Sequence, residues 1–570
     1  MRARATAAGL LSFVIVFGGI TSLGVVPLFM HDDYEYTYPS FSLVRAGDFG
    51  SPLMGSGLNI AHRTYNFTMY YYATVHAALI RLYGERSESI ALANIFHFAL
   101  LIASAMAYAV YRGDLVIGLV FVAAFVSDRL VIAAALAGRP EMTAAFGYFA
   151  ATVMLLEWHV WRNRRPVVLA AASAGAIVCA LTHPAAAIVL LPIFVLFVAI
   201  HFRDLLDVRR AAAFLAPCAI PALLYGYFAA TDDWRNIVVQ MLGNAATGNV
   251  AWPQRYEMAA AGRVRELLSS AQPVWEHFAN VHFAYALPGV MVGLVAAAMR
   301  DRLPSWPTLR VYLHGVIVLS VAFALSFIMD WLFLKNFVGS YTVIYRSAWY
   351  LALALSVSML LFPVRAWFEV QHSTPLTAGA VALAVAMFIA AHDTTVAAER
   401  LHNGFKFAEY GRFRAELNGA MLSAGAKPAD RVYCPSPFGT YLSPPYHVVT
   451  YGGERYFAGM WPASFDAALA AKRAVAPNPS SLAYLKKIVF LNPRWIVTWD
   501  GDYSDLYDYM RFVKSFPTTD PEIRIVEATS YVSPHTYLGR IHVFRVELAD
   551  EFSRSLDRSM DPERRLARYR

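Results

Sequence analysis

Apolar residues are unevenly spread along this chain. From Leu10 to Ala391 they recur in runs of roughly 16–24 residues, and about 20 are enough for a helix to span the hydrocarbon core of a bilayer. The pattern predicts membrane helices over 8–30, 66–83, 90–111, 115–137, 141–160, 167–182, 184–200, 211–229, 282–298, 311–334, 342–362 and 375–392. Beyond Asp393 the long runs stop. Residues 400–424 read as an amphipathic helix. Short β-rich runs follow at Arg431–Tyr433, His447–Tyr451, Trp495–Trp499, Ile523–Val526 and Ile541–Glu547, with helical stretches near 464–473, 480–490 and 503–514. Such alternation predicts a layered α/β domain. The expected architecture is a polytopic α-helical membrane module over 1–392, then a soluble α/β domain over 393–570 whose charged end, from Arg554, frays.

Composition agrees. The 570 residues are 58% hydrophobic and only 15% charged, where a soluble protein carries nearer a quarter charged. The net charge of +8 comes from basic residues clustered in short loops between apolar runs, which fits topology control rather than nucleic-acid binding. Three cysteines, two of them in apolar runs, make no disulfide framework. The first run follows Arg2 and Arg4, is longer than a signal-peptide core and has no small-x-small cleavage site, so it reads as a retained helix.

The strongest basic loops are Arg162-Asn163-Arg164-Arg165, Arg203 with Arg209-Arg210, and Arg300 to Arg310; they are expected in the cytoplasm. This places 230–281, Arg139-Pro140-Glu141 and the C-terminal domain on the extracytoplasmic side of a plasma membrane. Counting forward from a cytoplasmic N-terminus leaves one crossing too many. Segment 115–137, interrupted by Ser127-Asp128-Arg129, is the expected exception: a re-entrant or broken pair of short helices, leaving about eleven crossings. A miscounted helix elsewhere is the alternative.

Chemistry concentrates just outside the first helix. Met30-His31-Asp32-Asp33-Tyr34-Glu35-Tyr36 sets three carboxylates and a histidine within five residues. Carboxylates this close repel, so the group suits a cation, a positive substrate group or proton transfer; a solvated helix end is the plain alternative. The loop continues through Arg45-Ala46-Gly47-Asp48-Phe49-Gly50-Ser51-Pro52 to His62-Arg63-Thr64-Tyr65-Asn66. A basic pair beside an acidic pair suits an enzyme handling a phosphate leaving group. Contact with lipid headgroups would equally account for Arg63.

In order and spacing, Asp32-Asp33-x-x-Tyr36, Gly47-Asp48-Phe49-x-x-Pro52, a basic residue before the second run, Arg139-Pro140-Glu141, and Tyr345-Arg346 opening a late run together resemble the GT-C superfamily of glycosyltransferases. Its members include protein O-mannosyltransferases and the lipid A aminoarabinose transferase. Two departures are visible: Asp33 stands where the family commonly has Glu, and Arg63-Thr64-Tyr65-Asn66 stands where it has Lys-Pro-Pro-Leu. The resemblance implies a polyprenyl-phosphate-linked sugar donor within the membrane lipid and inverting transfer on the external face. It implies Asp32 as general base, and Asp33 and Glu141 to position it or the acceptor, or to bind Mg²⁺ or Ca²⁺ together with Asp32. Arg63, Arg346 and His62 would hold the donor phosphate, and Tyr36, Arg139 and Tyr345 would position sugar or acceptor.

A transporter or flippase of lipid-linked glycans is the competing class. It needs ionisable groups near the bilayer midplane, where Asp128 and Arg129 form the only adjacent pair. An oligosaccharyl transferase lacks support, since no Trp-Trp-Asp-Tyr-Gly stretch occurs. The tryptophan-bearing loop 231–281 suits an interfacial cover over a lipid-entry groove or a plain surface helix. Trp499-Asp500-Gly501-Asp502-Tyr503 reads as a surface turn.

Overall fold

The computed structural model describes residues 2–22, 33–45, 47, 70–85, 87–230, 306–330, 342–370, 414–428, 430–433, 446–449, 493–499, 523–532 and 540–550. Its helices are α1 Arg2–Ser22, α2 Asp33–Arg45, α3 Tyr70–Tyr83, α4 Leu92–Arg112, α5 Leu115–Ser127, α6 Arg129–Leu136, α7 Glu141–His159, α8 Pro166–Ala180, α9 Pro184–Leu205, α10 Val208–Leu215, α11 Ala219–Ala230, α12 Trp306–Met329 and α13 Thr342–Val370. Among the described residues, four helical stretches are long and apolar enough to cross a membrane: Arg2–Ser22, Ser89–Arg112, Ala185–Leu205 and Leu309–Met329. The bent pair Leu115–Val126 and Leu130–Leu136 adds a fifth if it is one span. On α1, Leu10, Leu11, Val14 and Ile15 turn outward as lipid-facing residues do, and the chain is a multi-pass membrane protein.

Contacts fix which helix ends lie together. Arg112, closing α4, pairs with Glu157 at the end of α7. Asp114, capping α5, accepts from Tyr312 near the start of α12 at 2.9 Å and from Ser358 far along α13. With Arg2 and the loop 162–165 these define a basic end. At the far end Asn94, opening α4, donates to Ala137 O at 2.7 Å, just before α7. Helix α5 therefore leaves the basic end, and Asp128 at its other terminus meets Arg346 in the first turns of α13. The 14 positions from Asp114 to Asp128, at 1.5 Å each, cover roughly 20 Å. The chain then bends by 77° into α6 and reaches α7 at the far end.

This changes the expected threading. Segment 115–137 is broken, as expected, but it joins opposite ends of the bundle instead of re-entering. The helix that fails to cross is α3, the described part of the expected span 66–83. In α3, Tyr71 N donates to Leu181 O at 3.0 Å and Tyr72 Oη to Gly138 O at 2.5 Å, while the Tyr83 ring packs on Phe17 at 5.9 Å. All three partners belong to the far end, so α3 lies along it with α2 beside it. The physical reason is its polar content: Tyr70, Tyr71, Tyr72, His76 and Arg81 suit an interface, not a hydrocarbon core.

Helices α7 and α8 meet at glycine. A Cβ on Gly175 would stand 2.6 Å from Ala151 N, and one on Gly147 2.8 Å from Gly175 O, so only glycine permits this approach. In the C-terminal part, residues 414–423 are helical. Strands β1 Arg431–Tyr433, β2 His447–Val449, β3 Trp495–Trp499, β4 Ile523–Val532 and β5 Arg540–Leu548 form one sheet in the order β2-β1-β3-β5-β4. β1 runs parallel to β2 and β3, and β5 antiparallel to β3 and β4. Every strand falls where a β-rich run was expected. The helices expected at 464–473, 480–490 and 503–514, the loop 231–281, the spans 282–298 and 375–392, and the turn 500–503 lie outside the described residues.

Candidate functional site

At the far end the chain enters α7 through Arg139-Pro140-Glu141. Proline at the N-cap leaves no lost hydrogen bond, and a carboxylate in the first turn suits the helix dipole. Glu141 is nonetheless fully buried, and its Oε1 accepts from Arg139 Nε at 2.8 Å. The Arg139 backbone is fixed from α4. Asn94 Nδ2 donates to Ala137 O and to Arg139 O, and Asn94 Oδ1 accepts from Thr143 Oγ1 at 3.1 Å. His97, one turn along α4, has Nδ1 3.1 Å from Thr143 Oγ1 and 2.6 Å from Ala93 O, and Nε2 3.1 Å from Tyr71 Oη. Asn94, His97 and Thr143 are buried; one face of α4 thus locks the short loop that carries Arg139 and Glu141.

Helix α2 brings the first loop onto this pair. The Arg139 guanidinium lies 5.5 Å from the centre of the Tyr36 ring, a cation–π distance. The Tyr36 ring is 6.1 Å from that of His183. His183 caps α9, its Nδ1 accepting from Ala185 N at 3.1 Å. Burial first, and the Arg139 charge second, push His183 down to about 3.

The expected site residues divide into three groups. Tyr36, Arg139 and Glu141 come together. Tyr345 and Arg346 form a second cluster: Tyr345 Oη donates to Asp330 Oδ2 at 2.7 Å, and Arg346 pairs with Asp128 while its Nε donates to Thr342 Oγ1 at 3.2 Å. Tyr350 also donates to Asp128. Arg346 is 5% exposed and turned toward the α5–α6 break. Asp32, Arg63 and His62 lie outside the described residues, as does the side chain of Asp33, although its backbone opens α2. Among the described residues no three His, Cys, Asp or Glu side chains are grouped to hold a metal ion. Two of the three carboxylates expected to do so, Asp32 and Asp33, fall outside that set.

Sequence reasoning missed Asn94, His97 and Thr143; the available signals were the i, i+3 spacing of Asn94 and His97 within one apolar run and the place of Thr143 two residues after Glu141. It noticed Asp128 as a helix breaker and paired it with its neighbour Arg129. The spatial partner is Arg346, more than two hundred residues away.

No protein-family model and no curated protein matches the chain. Among solved structures it is similar to the crystal structure of ArnT from Cupriavidus metallidurans in the apo state, at 14% identity over 95% of this chain and 97% of that one, with a TM-score of 0.48. It is similar also to ArnT from the same organism bound to undecaprenyl phosphate, at 14% identity over 96% of this chain and 98% of that one, with a TM-score of 0.49.

Proposed function

We propose that this chain is a membrane glycosyltransferase of GT-C type that moves a sugar from a polyprenyl-phosphate donor to an acceptor at the far end of the bundle, on the extracytoplasmic side. The observation that carries the reading is the seating of Tyr36 over Arg139 beside the buried Arg139–Glu141 pair. Two motifs about a hundred residues apart, each weak alone, meet in one place, and Asp33 opens the helix that brings them together.

In this reading Asp32 accepts the proton of an acceptor hydroxyl as its oxygen attacks the anomeric carbon. The bond to the lipid phosphate breaks with inversion, and the phosphate leaves with the electron pair. Asp33 supports the base, and Glu141 fixes Arg139 toward the loop. Arg63 and His62 receive the departing phosphate oxygens. Arg346 takes part only if phosphate replaces Asp128 as its partner. If a divalent cation takes part, it supplies charge for the developing phosphate, with Asp32 and Asp33 the available ligands. The buried Asp128–Arg346 pair is also what a transporter would need. Its position at the kink, where Asp128 also caps α6 and accepts from Tyr350, suits a clasp holding the break.

The test is Asp32→Asn, which keeps size but cannot accept the proton. In membranes supplied with a radiolabelled polyprenyl-phosphate sugar, transfer should fall by roughly 10²–10⁴-fold with donor binding retained. Transfer near the parent rate removes Asp32 as base and leaves Asp33 and Glu141 as candidates.

A further inference from the structure

A second site lies toward the basic end. A groove of about 550 Å³ opens between α1, α4, α7 and α8. Its lining includes the small residues Ala107 and Ala150, the larger Phe146 and Met154, and, nearest the basic end of their helices, Arg2 and Tyr111. From Tyr111 to Ser104 on α4, seven residues at 1.5 Å, the slot runs roughly 10 Å into the hydrocarbon layer. Phe146 at its inner limit touches the His97 ring, with centroids 5.6 Å apart.

We infer that this groove binds one acyl chain of an anionic phospholipid from the leaflet at the basic end, its phosphate paired with Arg2. An apolar slot under a single cation matches an apolar tail under a single anion. The volume suits a ligand of modest size, which favours one straight acyl chain over a long branched polyisoprenoid. The groove is not the exposed face of α1: Leu10, Leu11, Val14 and Ile15 are open to lipid everywhere and select nothing. The site is independent of the proposed transfer reaction.

The test uses the full chain in nanodiscs containing phosphatidylglycerol or phosphatidylcholine, each with a diazirine midway along one acyl chain. Phosphatidylglycerol should label peptides carrying Phe146 and Met154. Arg2→Gln should reduce its labelling relative to phosphatidylcholine about fivefold. Ala150→Trp, which fills the slot, should abolish labelling there. Because that variant risks misfolding, Ala171→Leu on α8 gives a milder block with the same expectation. Labelling confined to the outward face of α1, equal labelling by both lipids in the unaltered chain, or labelling by a polyprenyl phosphate that phosphatidylglycerol does not compete away would each overturn the assignment.

Discussion

Helix α7 carries an arginine–glutamate pair at each end, and the two pairs serve different purposes. At the basic end Arg112 reaches across from α4 to Glu157 on α7, with its guanidinium over Trp161 at 4.3 Å, Tyr111 at 5.2 Å and Tyr108 at 5.6 Å. At the far end Arg139 and Glu141 are two residues apart in one loop, and α4 holds that loop through Asn94. Exposure does not separate them: the arginine side chains are 17% and 16% exposed and the glutamates 3% and 0%. What separates them is the neighbourhood. The first guanidinium is enclosed by three aromatic rings and ties two helices together. The second is closed within one loop and faces Tyr36, on the helix that follows the acidic first loop. A buried ion pair becomes a functional candidate when its geometry is supported from behind and its front is turned to a loop that carries chemistry.

The largest expected effect sets the two glutamates against each other. Glu157→Ala leaves Arg112 charged in a mostly buried place and releases α4 from α7. It should lower stability by about 3 kcal/mol, the low end for breaking a buried pair because Arg112 can reach the interface. Glu141→Ala strands Arg139, which is as buried as Arg112, so a similar loss of about 3 kcal/mol is expected. Transfer per folded molecule should separate the two, unchanged in the first variant and reduced at least about a hundredfold in the second. Thermal unfolding in detergent and transfer in membranes measure both; equal losses of transfer would erase the contrast.

Asn94→Leu tests the support from behind. It strips hydrogen bonds from Ala137 O and Arg139 O and a partner from Thr143, leaving buried carbonyls unsatisfied. A loss of about 2–3 kcal/mol is expected. Asn163, whose side chain reaches Glu157 at 3.3 Å at the basic end, should cost about 0.5 kcal/mol as Ala.

The same contrast shows what the sequence could reveal. The sheet was legible because each strand is a short run of β-formers between polar stretches: Trp495–Trp499 and Ile541–Glu547 need no partner to be recognised. Arg139 and Glu141 were legible as a motif beside a helix start. The failure of α3 to cross was not. Its apolar stretch resembles a span, its tyrosines, His76 and Arg81 hint at an interface, and the placement of Tyr71 on Leu181 at one end and Tyr83 on Phe17 at the other shows both ends on one side. Asp128 with Arg346 was equally hidden, because sequence proximity suggests Arg129 and helix packing decides otherwise. Asn94 and Thr143 carry little local signal: polar residues in an apolar run, even spaced i, i+3 as Asn94 and His97 are, look the same whether they support a site or fill a gap.

Acid should also destabilise the far end through His183. Its folded value is lowered, so protonation favours the unfolded chain. Its contribution is complete above an unfolded value near 6.5 and declines as pH falls toward about 3. Between pH 7 and pH 5 this amounts to about 2 kcal/mol. His183→Asn keeps a capping acceptor for Ala185 N and removes the titration. The difference between the two unfolding curves should open as pH drops, and parallel curves would assign the acid sensitivity elsewhere.

The smallest expected effect bears most directly on the comparison, because it concerns the ring that faces each arginine. Arg112 has three described rings and Arg139 has Tyr36. A cation–π contact at a partly exposed site contributes about 0.5–1 kcal/mol. Tyr36→Leu should therefore cost little stability, within that range, while releasing Arg139 from its orientation toward the first loop. Tyr36→Phe keeps the ring and its negative face, and should retain the stability. If Arg139 is oriented for donor or acceptor by that ring, the Leu variant should lose transfer well beyond its stability loss and the Phe variant should not. Steady-state transfer measured beside unfolding separates the cases. Impairment of Phe equal to that of Leu would move the role from the ring to the Tyr36 hydroxyl, and the likeness between the two arginine pairs would then end at their exposure.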